Sequence, residues 1–99
     1  MKHRFDVEIT PRFAAFLHAL KDAVGKARIL ARLKRLELGN WGDAEPIGDG
    51  LTELRIDHGP GYRVYCKQLG STLVIVLGAG TKKRQQADID AAKAQAKEL

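Results

Sequence analysis

The sequence predicts an α+β fold: an antiparallel sheet packed against a helical hairpin, in the order β-α-α-β-β-β-β-α. Three observations predict it. A short segment at residues 5–9 alternates apolar and polar side chains, the period of a half-buried strand. Two stretches with helical apolar spacing follow it directly, at residues 11–21 and 23–38. Residues 44–77 then carry strand-like runs broken by Gly and Pro, before a final alanine-rich helical stretch.

Each element has its own warrant. In the first strand Phe5, Val7 and Ile9 fall on one side and Asp6 and Glu8 on the other. Thr10-Pro11 is a helix N-cap followed by proline at the first helical position, and Phe13, Phe16, Leu17 and Leu20 form the stripe of that helix. Asp22 caps the second helix, whose stripe is Ile29, Leu30, Leu33 and Leu36, and Gly39 suits its C-terminal end. Arg28, Arg32 and Arg35 form a row along this helix: either a solvated face or a surface for RNA or an acidic partner. Residues 40–50 are a loop around an edge strand at 44–47, where Pro46 is tolerated. Trp41 in that loop is either a core plug or a base-stacking residue.

Residues 51–65, LTELRIDHGPGYRVY, read as a hairpin turning at His58-Gly59-Pro60. Leu54 and Ile56 point one way, Glu53, Arg55 and Asp57 the other; on the return, Val64 and Cys66 oppose Arg63, Tyr65 and Lys67. With the apolar sets on the helices, Arg55, Arg63 and Tyr65 share the opposite, open face. Residues 73–77 are continuously apolar and read as a central strand buried on both faces. A Gly-Ala-Gly loop and the basic run Lys82-Lys83-Arg84 come next. The last helix, residues 86–97, has only a weak apolar face (Ile89, Ala92, Ala96), so it is either mobile or packed on a partner.

Composition narrows the function. Ninety-nine residues predict one domain spanning 1–99, with a core that needs no metal or disulfide. A single cysteine, Cys66, suits a reducing compartment. MKHRFDVEIT has no apolar signal core, and no run approaches the roughly 18–20 residues of a membrane span, which predicts a cytoplasmic protein without membrane contact. The net charge of +5 points to a polyanionic partner, either nucleic acid or an acidic protein.

The candidate chemistry is cationic. Arg55 and Arg63 face each other across the hairpin, and like charges directly opposite destabilise a sheet unless an anion holds them. That anion is either a bound phosphodiester or the neighbouring Glu53 and Asp57. Lys82, Lys83 and Arg84 follow the central strand and extend the basic set; arginine offers phosphate two parallel hydrogen bonds. GAGTKK lacks the spacing of nucleotide-binding glycine loops. His3, His18 and His58 are scattered, and no ligand spacing predicts a metal or other cofactor. Ser71 sits in a turn and Cys66 on an apolar strand face, which disfavours both as nucleophiles. Proton transfer is open among His58, Lys82, Lys83 and Asp88, and Tyr65 either stacks on a base or packs in the sheet.

LKRLELGNWGDAEPIGDGLTELRIDHGPGYRVY, followed by GAGTKKRQQADIDAAK, resembles the RelE/ParE superfamily of type II toxin–antitoxin toxins, and most of all its HigB-like addiction module killer branch. The resemblance implies an antiparallel sheet backed by two helices, and ribosome-dependent cleavage of mRNA in which the 2′-hydroxyl attacks its own phosphate without a metal. It implies Arg55, Arg63 and Lys82 as the catalytic set, with Arg63 stabilising phosphate charge. Lys83, Arg84, Tyr65, Arg28 and Arg32 would bind RNA. It also implies a cognate antitoxin, of helix-turn-helix type, and contact with operator DNA only through that antitoxin. RelE has a tyrosine in its C-terminal segment where this chain has Ile89 and alanines. Two other functions stay open: a ParE-like toxin acting on gyrase, and a non-catalytic module that binds an antitoxin and helps it repress.

Overall fold

The computed structural model describes residues 3–99. β1 (Asp6–Ile9) leads into α1 (Pro11–Ala19) and α2 (Ala23–Glu37). β2 (Ala44–Gly48), β3 (Leu51–Ile56), β4 (Tyr62–Leu69) and β5 (Leu73–Thr81) follow, and one 3₁₀ turn, Lys82–Arg84, opens α3 (Gln85–Ala96). The element order is the one the sequence predicts. The caps also form as expected: the Thr10 hydroxyl accepts the Phe13 N–H ahead of Pro11, and the Asp22 carboxylate accepts the Gly25 N–H.

The five strands make one sheet in the order β1-β5-β4-β3-β2. Strands β2 to β5 are antiparallel neighbours, and Arg55 lies directly opposite Arg63 as the hairpin pattern implied. The antiparallel expectation needs one correction: β1 pairs with β5 in parallel, from Asp6↔Leu73 to Ile9↔Val76. The helices and the β2–β4 meander all lie between these two strands in sequence, which gives the length of connection that a parallel pair requires.

The sheet is covered on both faces. On one face Phe13, Ile29, Leu33 and Leu36 of the helical hairpin bury Leu54, Ile56, Val64, Val74 and Val76. Each fully buried side chain of this kind stabilises by roughly 1.5–3 kcal/mol. Cys66 belongs to this core, and burial pushes its thiol up to about 12, far from a thiolate. Trp41 packs against the same core, edge-on to Phe5 at 5.5 Å. On the other face Ala92 and Ala96 of α3 rest on Leu51, Tyr65, Ile75 and Leu77. Alanine gives α3 little apolar periodicity but lets it lie close to the sheet.

That second face corrects two expectations. It is not open: α3 closes it, and Tyr65 is 1% exposed. The glycine-rich segment is not a loop either: β5 runs on through Gly78, Ala79 and Gly80 to Thr81, paired with Tyr65, Val64, Arg63 and Tyr62 of β4. The register shifts between Tyr65 and Cys66, so Leu77 is an extra residue that bends the strand. At Gly80 α3 comes close: a Cβ there would meet the Asp88 carboxylate, which would have to turn aside. No helix among the described residues is long and apolar enough to cross a membrane.

Candidate functional site

The β3–β4 turn and the end of β5 meet at one corner of the sheet. Lys82 N–H donates to the Gly61 carbonyl at 2.8 Å, which ties the 3₁₀ turn to the hairpin. Gly61 takes a positive φ of 77°, and a Cβ on it would stand 3.4 Å from that of Lys82. The result is a cavity of about 400 Å³. Arg55, Arg63 and Lys82 line it together with Asp43 and Asp57, and Gly59, Pro60 and Gly61 form a backbone wall. The three residues expected to form the catalytic set therefore converge, from three separate stretches of chain.

Beneath the arginines lies Glu53, 1% exposed. Its Oε1 is 3.5 Å from Arg55 Nε and 3.8 Å from Arg63 Nε, and its Oε2 accepts a hydrogen bond from Gln85 Nε2 of α3 at 2.7 Å. Glu53 is two residues from Arg55 on one strand face and sits opposite Tyr65, diagonal to Arg63. So the anion that makes the facing arginines tolerable is in the first place an internal carboxylate. Arg55 also pairs with Glu45 on the edge strand β2. Arg63 is the more enclosed, with its side chain 13% exposed, and its Nε has no hydrogen-bond partner. Charge held in such a setting is screened less than charge in open water.

The remaining predicted site residues scatter. Tyr65 lies under α3 against Glu53, and burial foremost, then that carboxylate, raises its pKa. It has no surface on which a base could stack. Arg32 is also a correction. It is 6% exposed, and its guanidinium donates to the Trp41 carbonyl at 2.8 Å, the Asp43 carbonyl at 2.9 Å and the Arg55 carbonyl. The helical row placed it beside Arg28 and Arg35, but the loop before β2 folds over the middle of the row and takes up its Nη donors, while its Nε is buried without a partner. Arg28 and Arg35 stay exposed and border a second cavity, of about 290 Å³, which shares Arg55, Asp43 and Asp57 with the first.

The basic run after β5 divides. Lys82 faces the Arg55–Arg63 cavity, Lys83 is exposed outside it, and Arg84 borders a third cavity of about 420 Å³ with Arg12 and Asp88. His58 turns to the helical hairpin. It lies 3.4 Å from Asp22 and stacks over Tyr62, whose hydroxyl donates to Asp22 at 2.8 Å. The Gly25 N–H foremost, then the Tyr62 hydroxyl, hold the Asp22 carboxyl below its ordinary pKa. Two contributors escaped the sequence reading. Gln85 carries no signal for its bond to Glu53, because their contact depends on where α3 crosses. Asp43 stands in a loop whose path over α2 no local pattern fixes.

Comparison with known proteins places this geometry. The sequence model of the family described as phage derived protein Gp49-like (DUF891) matches residues 15–98. A protein of uncharacterised function from Haemophilus influenzae is 48% identical over 93 residues, which is 94% of each chain. Among solved structures, a mutant of the Escherichia coli toxin RelE in the free state superposes with a TM-score of 0.71 over 92% of this chain and 97% of that one, at 13% identity. The Mycobacterium tuberculosis toxin–antitoxin complex RelBE2 gives a TM-score of 0.53 over 80% of this chain and 99% of that one, at 22% identity. The chain belongs to the Gp49-like family, and it is built on the fold of the RelE toxin.

Proposed function

We propose that this chain is the toxin of a type II toxin–antitoxin pair, of the HigB-like kind, and that it arrests translation by cutting mRNA on the ribosome as a metal-independent endoribonuclease. The observation that carries the reading is the convergence of Arg55, Arg63 and Lys82 on one cavity of about 400 Å³. The RelE-type fold and the complex formed by RelBE2 support it. A phosphodiester in this cavity meets two guanidiniums and an ammonium. Arg63, the most enclosed of the three, stabilises the charge that grows on phosphorus-bound oxygen as the 2′-hydroxyl attacks. Arg55 and Lys82 orient the strand. Arg28, with Arg35, continues the cationic surface along α2, and Lys83 and Arg84 flank the other side.

In this reading the whole chain, residues 1–99, is one cytoplasmic toxin domain with no cofactor. Its partners are a cognate antitoxin of the helix-turn-helix type and mRNA in the ribosome, and it reaches operator DNA only through the antitoxin. The test is induction of wild type and of Arg63→Ala in a bacterial host, with growth and mRNA 5′ ends followed together. Growth arrest with new mRNA ends in wild type, and neither in the variant, supports the proposal. Arrest with intact mRNA and damaged DNA overturns it in favour of gyrase, and no arrest overturns it in favour of a binding module.

A further inference from the structure

We propose that Glu53 is a positioning residue for the phosphate-binding arginines: a buried counter-charge that holds Arg55 and Arg63 in place without itself hydrogen-bonding their donors. The inference rests on the endoribonuclease reading above and adds a residue that the reading does not contain.

The geometry separates Glu53 from an ordinary structural ion pair. A buried carboxylate is costly unless its oxygens are well satisfied. Here only Oε2 makes a good hydrogen bond, from Gln85 Nε2 at 2.7 Å. Oε1 faces both arginines at 3.5 and 3.8 Å, beyond hydrogen-bond length. It attracts the two guanidiniums on their Nε sides without taking up their N–H groups; beyond it, Arg63 Nη1 makes a long bond to the Tyr62 carbonyl at 3.4 Å and Arg55 Nη2 pairs with Glu45 on the edge strand. Arg32 shows the alternative within the same molecule, since its Nη groups are bound to three carbonyls. Glu53 itself is 1% exposed and does not line the cavity, so it acts through the arginines and not on RNA. Its own position comes from α3 through Gln85, so the last helix sets the arginine geometry indirectly.

A counter-charge opposes RNA binding while it orders the groups that act on the phosphate. Removing it therefore moves affinity and turnover in opposite directions, which a loss of fold does not do. The test is Glu53→Gln, with Gln85→Leu as a milder variant that keeps the carboxylate but frees its Oε2. Two quantities are measured on each folded protein. One is single-turnover cleavage of mRNA in programmed ribosomes. The other is affinity for a ten-nucleotide RNA with 2′-O-methyl riboses, across a salt series. For Glu53→Gln the expected result is cleavage slower by roughly ten- to a hundredfold, the scale of a small misplacement of a positioned group, with RNA affinity unchanged or increased and a steeper salt dependence. Gln85→Leu should slow cleavage less and leave affinity unchanged. Should Glu53→Gln not fold, slower cleavage by Gln85→Leu at unchanged affinity supports the proposal and wild-type cleavage by it overturns the proposal. Cleavage by Glu53→Gln within twofold of wild type, or cleavage and affinity falling together, overturns it while Arg63→Ala remains inactive. Wild type that cuts nothing, or Arg63→Ala that still cuts, overturns the endoribonuclease reading itself.

Discussion

Arg32 and Arg63 are both drawn into the protein, yet the fold treats them in opposite ways. Arg32 leaves the middle of α2 and is bound by carbonyls of Trp41, Asp43 and Arg55, so it fastens the loop before β2 to the end of β3. Arg63 leaves β4 toward a buried carboxylate 3.8 Å away and a cavity, and its hydrogen bond is a long one, from Nη1 to the Tyr62 carbonyl at 3.4 Å. The Nη groups of Arg32 are taken up by three carbonyls; those of Arg63 meet one, at 3.4 Å. Charge and burial alone do not separate the two. The acceptors of the Nη groups do: Arg32 has three carbonyls, two of them at 2.8 and 2.9 Å, and Arg63 has one at 3.4 Å, while the Nε of each is buried without a partner.

The first way to break this comparison is Arg32→Ala. Three carbonyls lose their donor, and the expected cost is about 2–4 kcal/mol of stability, read from the urea midpoint. Arg32→Lys should recover only part of it, because one ammonium cannot reach three acceptors in a fan. If Arg32→Ala instead keeps full stability and weakens RNA binding, the assignment of Arg32 to structure is wrong. A smaller effect is expected from Gly80→Ala, whose methyl group displaces the Asp88 carboxylate at the start of α3. Overpacking of this kind costs roughly 1–3 kcal/mol, and it should disturb Gln85 and Glu53 more than the helical hairpin, visible as amide shifts confined to the α3 face.

The smallest effect concerns Asp22, on the far side of the hairpin turn. Its folded pKa is depressed, so its contribution is present above the unfolded value of about 3.9 and is lost as pH falls through the lower folded value. Asp22→Asn should therefore be less stable than wild type near pH 7, and the gap should close as the pH is lowered below about 3.9. A gap that stays constant across this range would show that the carboxylate charge is not what Gly25 and Tyr62 hold.

Much of the fold was legible because its signals are local. Thr10-Pro11 and Asp22 mark the helix starts, and alternation in residues 51–67 sets the hairpin register that brings Arg55 opposite Arg63. What was not legible depends on contacts distant in sequence. A helical row of Arg28, Arg32 and Arg35 looks uniform until the Trp41–Asp43 segment crosses it. Gly78-Ala79-Gly80 reads as a loop because glycine disfavours strands, but β4 supplies a partner for each residue. Tyr65 reads as open because α3, with alanines in place of large apolar residues, gives little sign of packing over it. Within the candidate site the cationic members were legible and their internal counter-charge was only one of two alternatives. The choice between Glu53 and a bound phosphate needs the distances.

Those distances make the central claim directly testable: Arg63 is reserved for substrate. The measurement is single-turnover mRNA cleavage in programmed ribosomes by purified wild type, Arg63→Ala and Arg63→Lys, with urea midpoints determined on the same preparations. The account predicts that Arg63→Ala loses roughly 10²–10³-fold in cleavage while the protein stays folded, its stability lower by about 1–3 kcal/mol because the buried Glu53 loses one of two counter-charges, and that lysine restores only a fraction. Cleavage that survives the loss of Arg63, or that falls only in step with lost stability, would contradict it.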